Sequence, residues 1–500
     1  MKSTFIETRM GRIPCIVTGQ AARELHTNQR IRTKEFLAIE AFLSDTGSYE
    51  RSNEILNLMT RRSRSSSSIV SVDAQYSDSI MLGSKTKKDY QRVCTDILSG
   101  YGIGLNDIGE VIDHAAILPV TEKISAEMTS FVPAGGPSAD PSGREMELRN
   151  YVSRYNEKRP QTDQIKEKTS FEDPGRSVYC SVDDVQVHMQ KRKTIRKNGR
   201  ECIRTTGSWI YHSVASIEIT DAASKDTAEN ADRVYIFEAD TQELAYSYIM
   251  AFLLYNGLTD RFIVFFSDGE ETLKTIPEEM FSGWPHVFYM DYYHLKERIT
   301  EKFSKVFRSG KIADDTVEPQ YFKNGNVKKG SVKMITRSVY YTRMIISMLW
   351  AGNVDDAIHW LESMRSSDEL KAGGERSIDS TITYLSNKRD RFPCYALREY
   401  LGLKNSSNSV EIANNILVAK RQKKKGCSWC QSGSFACSET KAIFVNEEAE
   451  NYYSNGTISF RPRRRALDSE YTQGLEWLHD KTIKMHVSQI RETEVCKNIA

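Results

Sequence analysis

The chain has 500 residues, of which 39% are hydrophobic and 27% are charged. Its length suggests two to four domains, and its composition excludes a globally disordered chain. The net charge of +2 does not by itself indicate a nucleic-acid protein, but basic residues are concentrated in runs at 191–200, 420–425 and 461–465. Such runs fit a protein that meets phosphates along particular faces, and they are equally typical of solvated surface.

The cysteines and the N-terminus bear on where the protein works. Nine cysteines are scattered without regular spacing, which is typical of reduced thiols in a reducing compartment. The first residues lack the apolar core of a signal peptide, and the longest apolar stretch, 245–258, is too short to span a bilayer. We therefore expect a cytoplasmic protein with no membrane partner.

The N-terminal third is predicted to be helical and then loosely structured. Residues 34–59 contain two helical patterns around a Gly-containing turn, which is compatible with a DNA-binding helix-turn-helix and with a purely structural helix pair. A serine run at 63–69 indicates a flexible break, and residues 132–143 are rich in proline and glycine. We expect a helical N-terminal region over 1–131 and a linker over 132–175.

Beyond residue 176 the pattern changes to alternating apolar and polar residues, which indicates strands. Three strands come first and are followed by alternating helices and strands. The predicted order is strand 177–189, strand 208–220, strand 233–240, helix 241–257, strand 261–269, helix 270–281, strand 286–291 and helix 292–307. This order predicts an α/β layer architecture with a mixed sheet.

The rest of the chain is predicted to be mostly helical. Residues 331–400 have helical patterns throughout, and a further helix is expected at 409–426, where Gly426 would stop it. The expected domain limits are 176–300 for the first part of the core, 301–405 for an all-helical insertion, 406–455 for the final core helix and 456–500 for a C-terminal tail.

Three acidic positions are candidates for catalysis. Two predicted strands carry aspartates, at Asp183–Asp184 and at Asp268, and α/β proteins place catalytic groups at strand ends. Asp-Gly is also a common turn. Glu411 lies in the first turn of the helix 409–426, a position that capping alone would explain. Together, three carboxylates would suit phosphodiester transfer, because carboxylates hold two Mg²⁺ about 4 Å apart in such sites.

The acidic segments also resemble a known family. VDDVQV (182–187), FFSDGEETL (265–273) and SSNSVEIANNILVAKRQKKKG (406–426) are similar to the DDE signature of bacterial insertion-sequence transposases related to the Mutator group. DYYH (291–294) resembles the Asp-x-x-His motif of that group, and the helical segment before Glu411 resembles its insertion domain. The resemblance covers roughly residues 175–455.

The resemblance implies a fold and a metal site. The fold is a ribonuclease H-like mixed sheet flanked by helices. Asp183, Asp268 and Glu411 would be the catalytic residues and the ligands of two Mg²⁺ ions, for which Mn²⁺ can substitute. Asp184 competes with Asp183 for the first position. Asp291 and His294 would orient DNA or support the metal site, or His294 would simply cap the helix that it begins.

The resemblance also implies an activity and partners. The protein would nick DNA at terminal inverted repeats and transfer the freed 3′-hydroxyl to target DNA, acting as a homo-oligomer on DNA in a bacterial cytoplasm, at the nucleoid. Two alternatives stay open: a catalytically decayed copy that still binds DNA, and another ribonuclease H-like nuclease such as a resolvase. The long insertion at 301–405 argues against the last of these.

Basic residues follow Glu411 on its predicted helix. They are Arg421, Lys423, Lys424 and Lys425. We expect them to contact phosphates beside the acids, although a solvated helix end stabilised by the helix dipole would also explain them.

A cysteine-containing segment follows these basic residues. Cys427, Cys430 and Cys437 include a CxxC pair, but zinc requires four ligands and no fourth Cys or His has a usual spacing, so packing thiols are expected. Trp429 is expected either to stack on a flipped base or to be buried.

Overall fold

The computed structural model describes only part of the N-terminal third and nearly all of the chain from residue 233 to residue 462. The described residues are 2–8, 11–17, 31–32, 72–103, 141–157, 159–166, 177–197, 200–219, 233–259, 261–269, 272–282, 284–314, 320, 323, 327–328, 330–424 and 427–462. The predicted helix-turn-helix at 34–59 lies outside them, as do the serine run at 63–69, Lys425 and Gly426.

The chain begins with strands where a helical region was expected. β1 (Lys2–Thr8) and β2 (Gly11–Val17) form an antiparallel hairpin, and the short β3 (Ile31–Arg32) pairs with β1 in parallel. β-Branched residues in both hairpin strands favour this conformation. α1 (Val72–Gly100) is helical as expected and packs into the main core of the protein.

A helix also replaces part of the expected linker over 132–175. α2 (Pro141–Asn156) begins at a proline, which the first turn of a helix tolerates because its N–H groups have no partner within the helix. Tyr151 of this helix stacks on Tyr400 with ring centroids 3.9 Å apart. The domain boundaries expected from the sequence stay a prediction.

The predicted mixed α/β architecture is confirmed. A five-stranded sheet has the strand order β6-β5-β4-β7-β8, in which β4, β5 and β6 are antiparallel to one another and β7 and β8 run parallel to β4. The strands are β4 (Ser177–Lys197), β5 (Arg200–Ile219), β6 (Arg233–Ala239), β7 (Phe262–Ser267) and β8 (His286–Met290). β4 and β5 extend well beyond their predicted limits into the basic run at 191–200.

Helices flank this sheet. α3 (Gln242–Tyr255) is apolar over most of its length and covers one face, where it forms the main core with α1. The side chain of Thr241 caps α3 by accepting a hydrogen bond from the Leu244 amide at 3.2 Å. α4 (Thr272–Met280) and α5 (Tyr292–Phe303) follow β7 and β8. Among the described residues, no helix has the length and apolar character needed to cross a bilayer.

The insertion between α5 and residue 405 has its own apolar core, to which α5 also contributes. It is not all-helical, because the short antiparallel strands β9 and β10 precede its helices. Its elements are β9 (Lys311–Ala313), β10 (Met334–Thr336), α6 (Arg337–Trp350), α7 (Val354–Met364), α8 (Gly374–Asn387) and α9 (Tyr395–Tyr400).

The predicted helix at 409–426 is present in an interrupted form. α10 (Asn408–Asn414) continues through a π-helical turn (Asn415–Ala419) into a final α-helical turn (Lys420–Gln422), and we call these three segments the Glu411 helix. It packs with α11 (Gln431–Val445) against the face of β4 and β5 opposite α3. α12 (Ala449–Asn455) is the last helix of the described residues.

Candidate active site

Three aspartates lie level with one another where the pairing between the parallel strands ends. β7 is paired with β4 up to two residues before Asp183 and Asp268, and with β8 up to the residue before Asp268 and Asp291. Extending each register sets Asp183 beside Asp268 and Asp268 beside Asp291. Because neighbouring strands are about 4.8 Å apart, the sheet brings the three backbones together at one edge.

Asp183 is half-buried and faces the Glu411 helix. Its Oδ2 accepts a hydrogen bond from Nδ2 of Asn414 at 2.6 Å, and its Oδ1 accepts one from the Asp184 amide at 2.9 Å. Burial and the neighbouring charge of Asp268 raise the pKa of Asp183 to about 6. Both causes penalise the charged carboxylate, so this position would be stabilised by a cation.

Asp184 points to the opposite face of β4, because side chains alternate along a strand. Its Oδ1 accepts a hydrogen bond from Oγ of Ser213 at 2.6 Å, and its Oδ2 accepts one from Nε2 of Gln242 at 3.0 Å. The strand thus directs Asp183 toward the Glu411 helix and Asp184 toward the beginning of α3.

Asp268 is exposed and follows directly after β7. The next residue, Gly269, has a φ of 94°, and a Cβ at this position would lie 2.7 Å from Cε of Met290. Glycine is therefore favoured here, chiefly because other residues rarely adopt this positive φ. The Gly269 carbonyl accepts a hydrogen bond from Nζ of Lys388, so the insertion helps to fix the turn that carries Asp268.

Glu411 approaches from the helix side and is held by a histidine. Nε2 of His294 lies 3.0 Å from Oε1 of Glu411, and about one third of each side chain is exposed. Burial raises the pKa of Glu411 above its usual range. The neighbouring His294 opposes this rise, and the charge of Asp291 adds to it. Asn414, which donates a hydrogen bond to Asp183, lies three residues after Glu411 and therefore on the same side of the helix.

Asp291 is fully buried and holds two segments together. Its Oδ1 caps α5 by accepting a hydrogen bond from the His294 amide at 2.9 Å. Its Oδ2 accepts hydrogen bonds from the backbone amide of Ser407 and, at 2.8 Å, from the Ser407 hydroxyl. The expectation that His294 caps its helix is therefore wrong, because Asp291 is the capping residue. Since Ser407 directly precedes α10, Asp291 also positions the helix that carries Glu411.

The donor set of this site suits a hard divalent cation. Asp183, Asp268 and Glu411 offer carboxylate oxygens, which Mg²⁺ prefers. Among the described residues, however, no three Asp, Glu, His or Cys side chains converge at metal-binding distances. The chemistry of the donors fits the ion, while Glu411 is bound to His294 rather than grouped with the two aspartates.

Two residues expected to contact DNA are buried. Trp429 is 6% exposed, its Nε1 donates a hydrogen bond to the Gln422 carbonyl at 3.2 Å, and its backbone pairs with the edge of β4. The guanidinium of Arg421, which is 9% exposed, lies 5.1 Å from the centroid of the Trp429 ring. Burial of Trp429 agrees with the second of its two expected roles, and burial of Arg421 leaves little of its surface for the expected phosphate contact. Lys423 and Lys424 are exposed.

The cysteines near Trp429 pack within the protein. Cys427, Cys430 and Cys437 are partly buried, and Sγ of Cys430 accepts a hydrogen bond from the Gly433 amide at 3.3 Å at the beginning of α11. Cys437 packs against the core between the sheet and the Glu411 helix. These contacts agree with the expectation of packing thiols.

Sequence patterns did not indicate a buried polar chain behind the site. Nδ1 of His212 lies 2.9 Å from Oε1 of Glu238, and Nε2 of His212 lies 2.7 Å from Oγ of Ser434. Ser434 in turn donates a hydrogen bond to the side chain of Gln422 on the Glu411 helix. The serine, histidine and glutamate resemble the triad of a hydrolase, but all three are fully buried, so substrate has no access to them.

The protonation states of this chain follow from burial. Burial lowers the pKa of His212 to about 3 and raises that of Glu238 well above its usual range. His212 is therefore neutral near pH 7, and burial favours the protonated form of Glu238. Glu238 then donates to Nδ1 of His212, and the protonated Nε2 of His212 donates to Ser434. Each group in this chain therefore donates a hydrogen bond to the next, from Glu238 on β6 to Gln422 on the Glu411 helix.

A second buried carboxyl adjoins Glu238. Glu439 of α11 is 1% exposed, and burial raises its pKa well above the usual range. Among the described residues, neither oxygen of Glu439 has a hydrogen-bond donor. The two carboxyls therefore carry at least one proton between them at neutral pH.

Comparisons with known proteins identify no family. No family model and no curated protein matches the chain. Among solved structures, the chain is similar to one described as a Drosophila P element transposase strand transfer complex, with 10% sequence identity over 71% of this chain and 84% of the other. The TM-score is 0.19, and a likeness this slight supports neither a fold nor a function.

Proposed function

We propose that this chain is a DNA transposase of the DDE type, which cleaves DNA at the ends of a mobile element and joins them to target DNA. One observation carries the proposal: Asp183 and Asp268 lie level with each other just beyond the paired part of two adjacent parallel strands, and the helix that bears Glu411 packs against β4 and β5. Asn414 connects that helix directly to Asp183.

The topology of the sheet supports the proposal. Three antiparallel strands followed by helix, strand, helix, strand and helix are the order that the ribonuclease H-like resemblance implies. The strand order and directions are compatible with it. The insertion occupies the expected place between α5 and the Glu411 helix, and its Lys388 reaches the turn after Asp268.

In this proposal, Asp183, Asp268 and Glu411 hold Mg²⁺. Two bound ions would activate the attacking water or 3′-hydroxyl and stabilise the leaving oxygen. Burial, and after it the charge of Asp268, raises the pKa of Asp183, and a bound cation would offset both effects. When an ion binds, Glu411 would leave His294 and contact the ion. Without an ion, His294 holds the Glu411 carboxylate at the rim of the site.

The remaining polar residues of the site position these acids. Asp291 orients α5, and with it His294, through the cap at its first turn, and it orients the start of α10 through Ser407. Lys423 and Lys424 follow on the Glu411 helix, where exposed ammonium groups suit DNA phosphates. The DNA partners would be terminal inverted repeats and target DNA, bound by a homo-oligomer.

The test is cleavage of duplexes that carry the genomic sequences flanking the gene, with Mg²⁺ and with EDTA. Wild-type protein should nick at the element ends and, given target DNA, form joined products. Asp268→Asn should abolish both, whereas Asp390→Asn, at an exposed acid paired with Lys274, should not. Full cleavage by Asp268→Asn would refute the site. DNA binding without cleavage by wild-type protein would favour the decayed copy, and nicks without joining would favour another nuclease.

A further inference from the structure

The hairpin of β4 and β5 extends beyond the helix that covers its inner part. On the α3 face, coverage ends at Asp184, whose carboxylate binds Gln242 at the first residue of that helix. Gln186 and His188 follow on the same face and are exposed. Among the described residues, the sheet therefore offers a bare surface that begins at Asp184, on the face opposite Asp183.

This bare surface carries exposed aromatic side chains. Trp209 pairs with His188 across the strands, and the two rings are stacked with centroids 4.1 Å apart and an interplanar angle of 28°. Trp209 is 46% exposed, and Tyr211, two residues along the same face, is 52% exposed. The histidine fixes one face of the indole, so the ring is held ready for a second stacking partner. Large exposed aromatics of this kind are typical of binding sites.

A cleft of about 680 Å³ connects these aromatics to the end of the Glu411 helix. Trp209, His188 and Gln186 line it together with Lys423 and Lys424. Both lysines are exposed, and neither forms an ion pair within the part of the chain that the structure describes. The cleft thus combines a stacking platform with two positive charges.

Asp184 also lines the cleft and is the one acidic group among the described residues that line it. Its carboxylate accepts hydrogen bonds from Ser213 and Gln242, both of which turn its oxygens toward the sheet and α3. The two lysines therefore dominate the charge that an incoming ligand meets at the far end of the cleft.

We propose that this cleft binds an unpaired stretch of DNA, with a base stacked on Trp209 and phosphates contacted by Lys423 and Lys424. Single-stranded nucleic acid is held by this combination of aromatic platforms and cationic groups. An intact duplex would not use the platform, because its base faces are already covered by neighbouring bases. The inference rests on the proposed function for the identity of the ligand, and it adds that the strand is unpaired where it leaves the acidic site.

The test is binding without chemistry. The fluorescence anisotropy of a short labelled single-stranded oligodeoxynucleotide is measured in EDTA, against a duplex of the same sequence as competitor. Trp209→Ala should weaken binding of the single strand about 10-fold, whereas Trp209→Phe should retain most of it. The control is Tyr255→Ala, which removes a similarly exposed aromatic (42%) at the other end of α3 and should bind as wild type does.

Two further measurements test the roles of the two lysines and of Trp209 separately. Each of Lys423→Ala and Lys424→Ala should lower the slope of log Kd against log salt by about 0.7, the value for one phosphate of a single strand. A 2-aminopurine base in the oligonucleotide should be quenched by wild-type protein and not by Trp209→Ala. Equal affinities of wild type and Trp209→Ala, or unaltered salt slopes, would overturn the inference.

The outcomes separate this inference from the proposed function. Single-strand binding that depends on Trp209, in a protein that never cleaves with Mg²⁺, would support the cleft and refute the transposase. Cleavage that is lost in Asp268→Asn, together with binding that is indifferent to Trp209, would support the transposase and refute the cleft.

Discussion

Nε2 of His294 lies 3.0 Å from Oε1 of Glu411. This contact joins the first turn of α5, which follows the third parallel strand, to the first turn of the Glu411 helix. It means that the carboxylate of Glu411 is already oriented, although it is not yet grouped with Asp183 and Asp268.

Removing His294 should therefore loosen Glu411 without removing a proposed metal ligand. We expect His294→Ala to lower the rate of Mg²⁺-dependent cleavage about 10- to 100-fold and to raise the Mg²⁺ concentration for half-maximal rate, as loss of an outer partner of a metal ligand does. His294→Gln, which can still donate to Glu411, should recover part of both. Equal defects in the two variants would show that the contact with Glu411 does not position it.

The two aspartates at 183 and 184 should behave differently because they point to opposite faces of β4. We expect Asp183→Asn to abolish cleavage, since it faces Asp268 and the Glu411 helix. Asp184→Asn should retain cleavage, because an amide can still bind Ser213 and Gln242. The measurement is the single-turnover cleavage rate of each variant. The reverse pattern would contradict the assignment.

Asp291 should matter for stability more than any other acid of the site. Asp291→Ala removes the cap of α5 and leaves the buried amide and hydroxyl of Ser407 without an acceptor, so it should cost about 2–4 kcal/mol of unfolding free energy. Urea denaturation followed by circular dichroism measures this loss. Asp268→Asn, at an exposed position, should unfold within about 0.5 kcal/mol of wild type. A stable Asp291→Ala protein that cannot cleave would instead place Asp291 among the catalytic groups.

The carboxyl of Glu439 should make stability fall as pH rises. Its folded pKa is raised above the usual 4.5, so its favourable contribution is complete below pH 4.5 and is lost as pH rises toward the folded pKa. His212 acts in the opposite sense: its pKa is lowered to about 3, so its contribution is complete above pH 6.5 and is lost as pH falls toward 3. The two effects together predict greatest stability in mildly acidic solution.

Glu439→Gln isolates the first effect, because His212 is the same in both proteins. At pH 8 the variant should be more stable than wild type, and near pH 4 the two should be alike. Thermal unfolding at several pH values measures the difference. Glu301→Gln, at a side chain that is 75% exposed, is the control and should show no such trend. A difference between wild type and Glu439→Gln that does not vary with pH would rule out an ionising Glu439.

The sheet could be predicted because the local pattern of apolar residues along a strand shows which of its faces are buried. Strands with alternating or continuous apolar residues, such as Phe262–Ser267, were found close to their predicted limits. The basic run at 191–200 hid the outer part of the β4–β5 hairpin, since charged residues at that density indicate solvated surface and carry no strand signal. Strands Lys2–Thr8 and Gly11–Val17 also have only weak alternation.

The site was less predictable because it depends on contacts that are distant in the sequence. The sequence could not choose between Asp183 and Asp184, since that choice requires knowing which face of β4 meets the Glu411 helix. Trp429 has ordinary local surroundings, and its burial depends on contacts with β4 and the Glu411 helix. His212 and Ser434 are separated by 222 residues, so no local pattern could have joined them.

The π-helical turn at Asn415–Ala419 divides the Glu411 helix into two halves that make different contacts. Before it, Asn414 donates a hydrogen bond to Asp183; after it, the side chain of Gln422 accepts one from Ser434 of the buried chain. A π turn holds one residue more than an α turn, so excising one residue from this stretch would rotate the two halves by about 100° relative to each other. Such a shortened protein could satisfy Asp183 or Ser434 but not both. The length of the helix is therefore constrained by the contacts at both of its ends. An insertion or deletion in the π-helical turn would have to be accompanied by new contacts at one end.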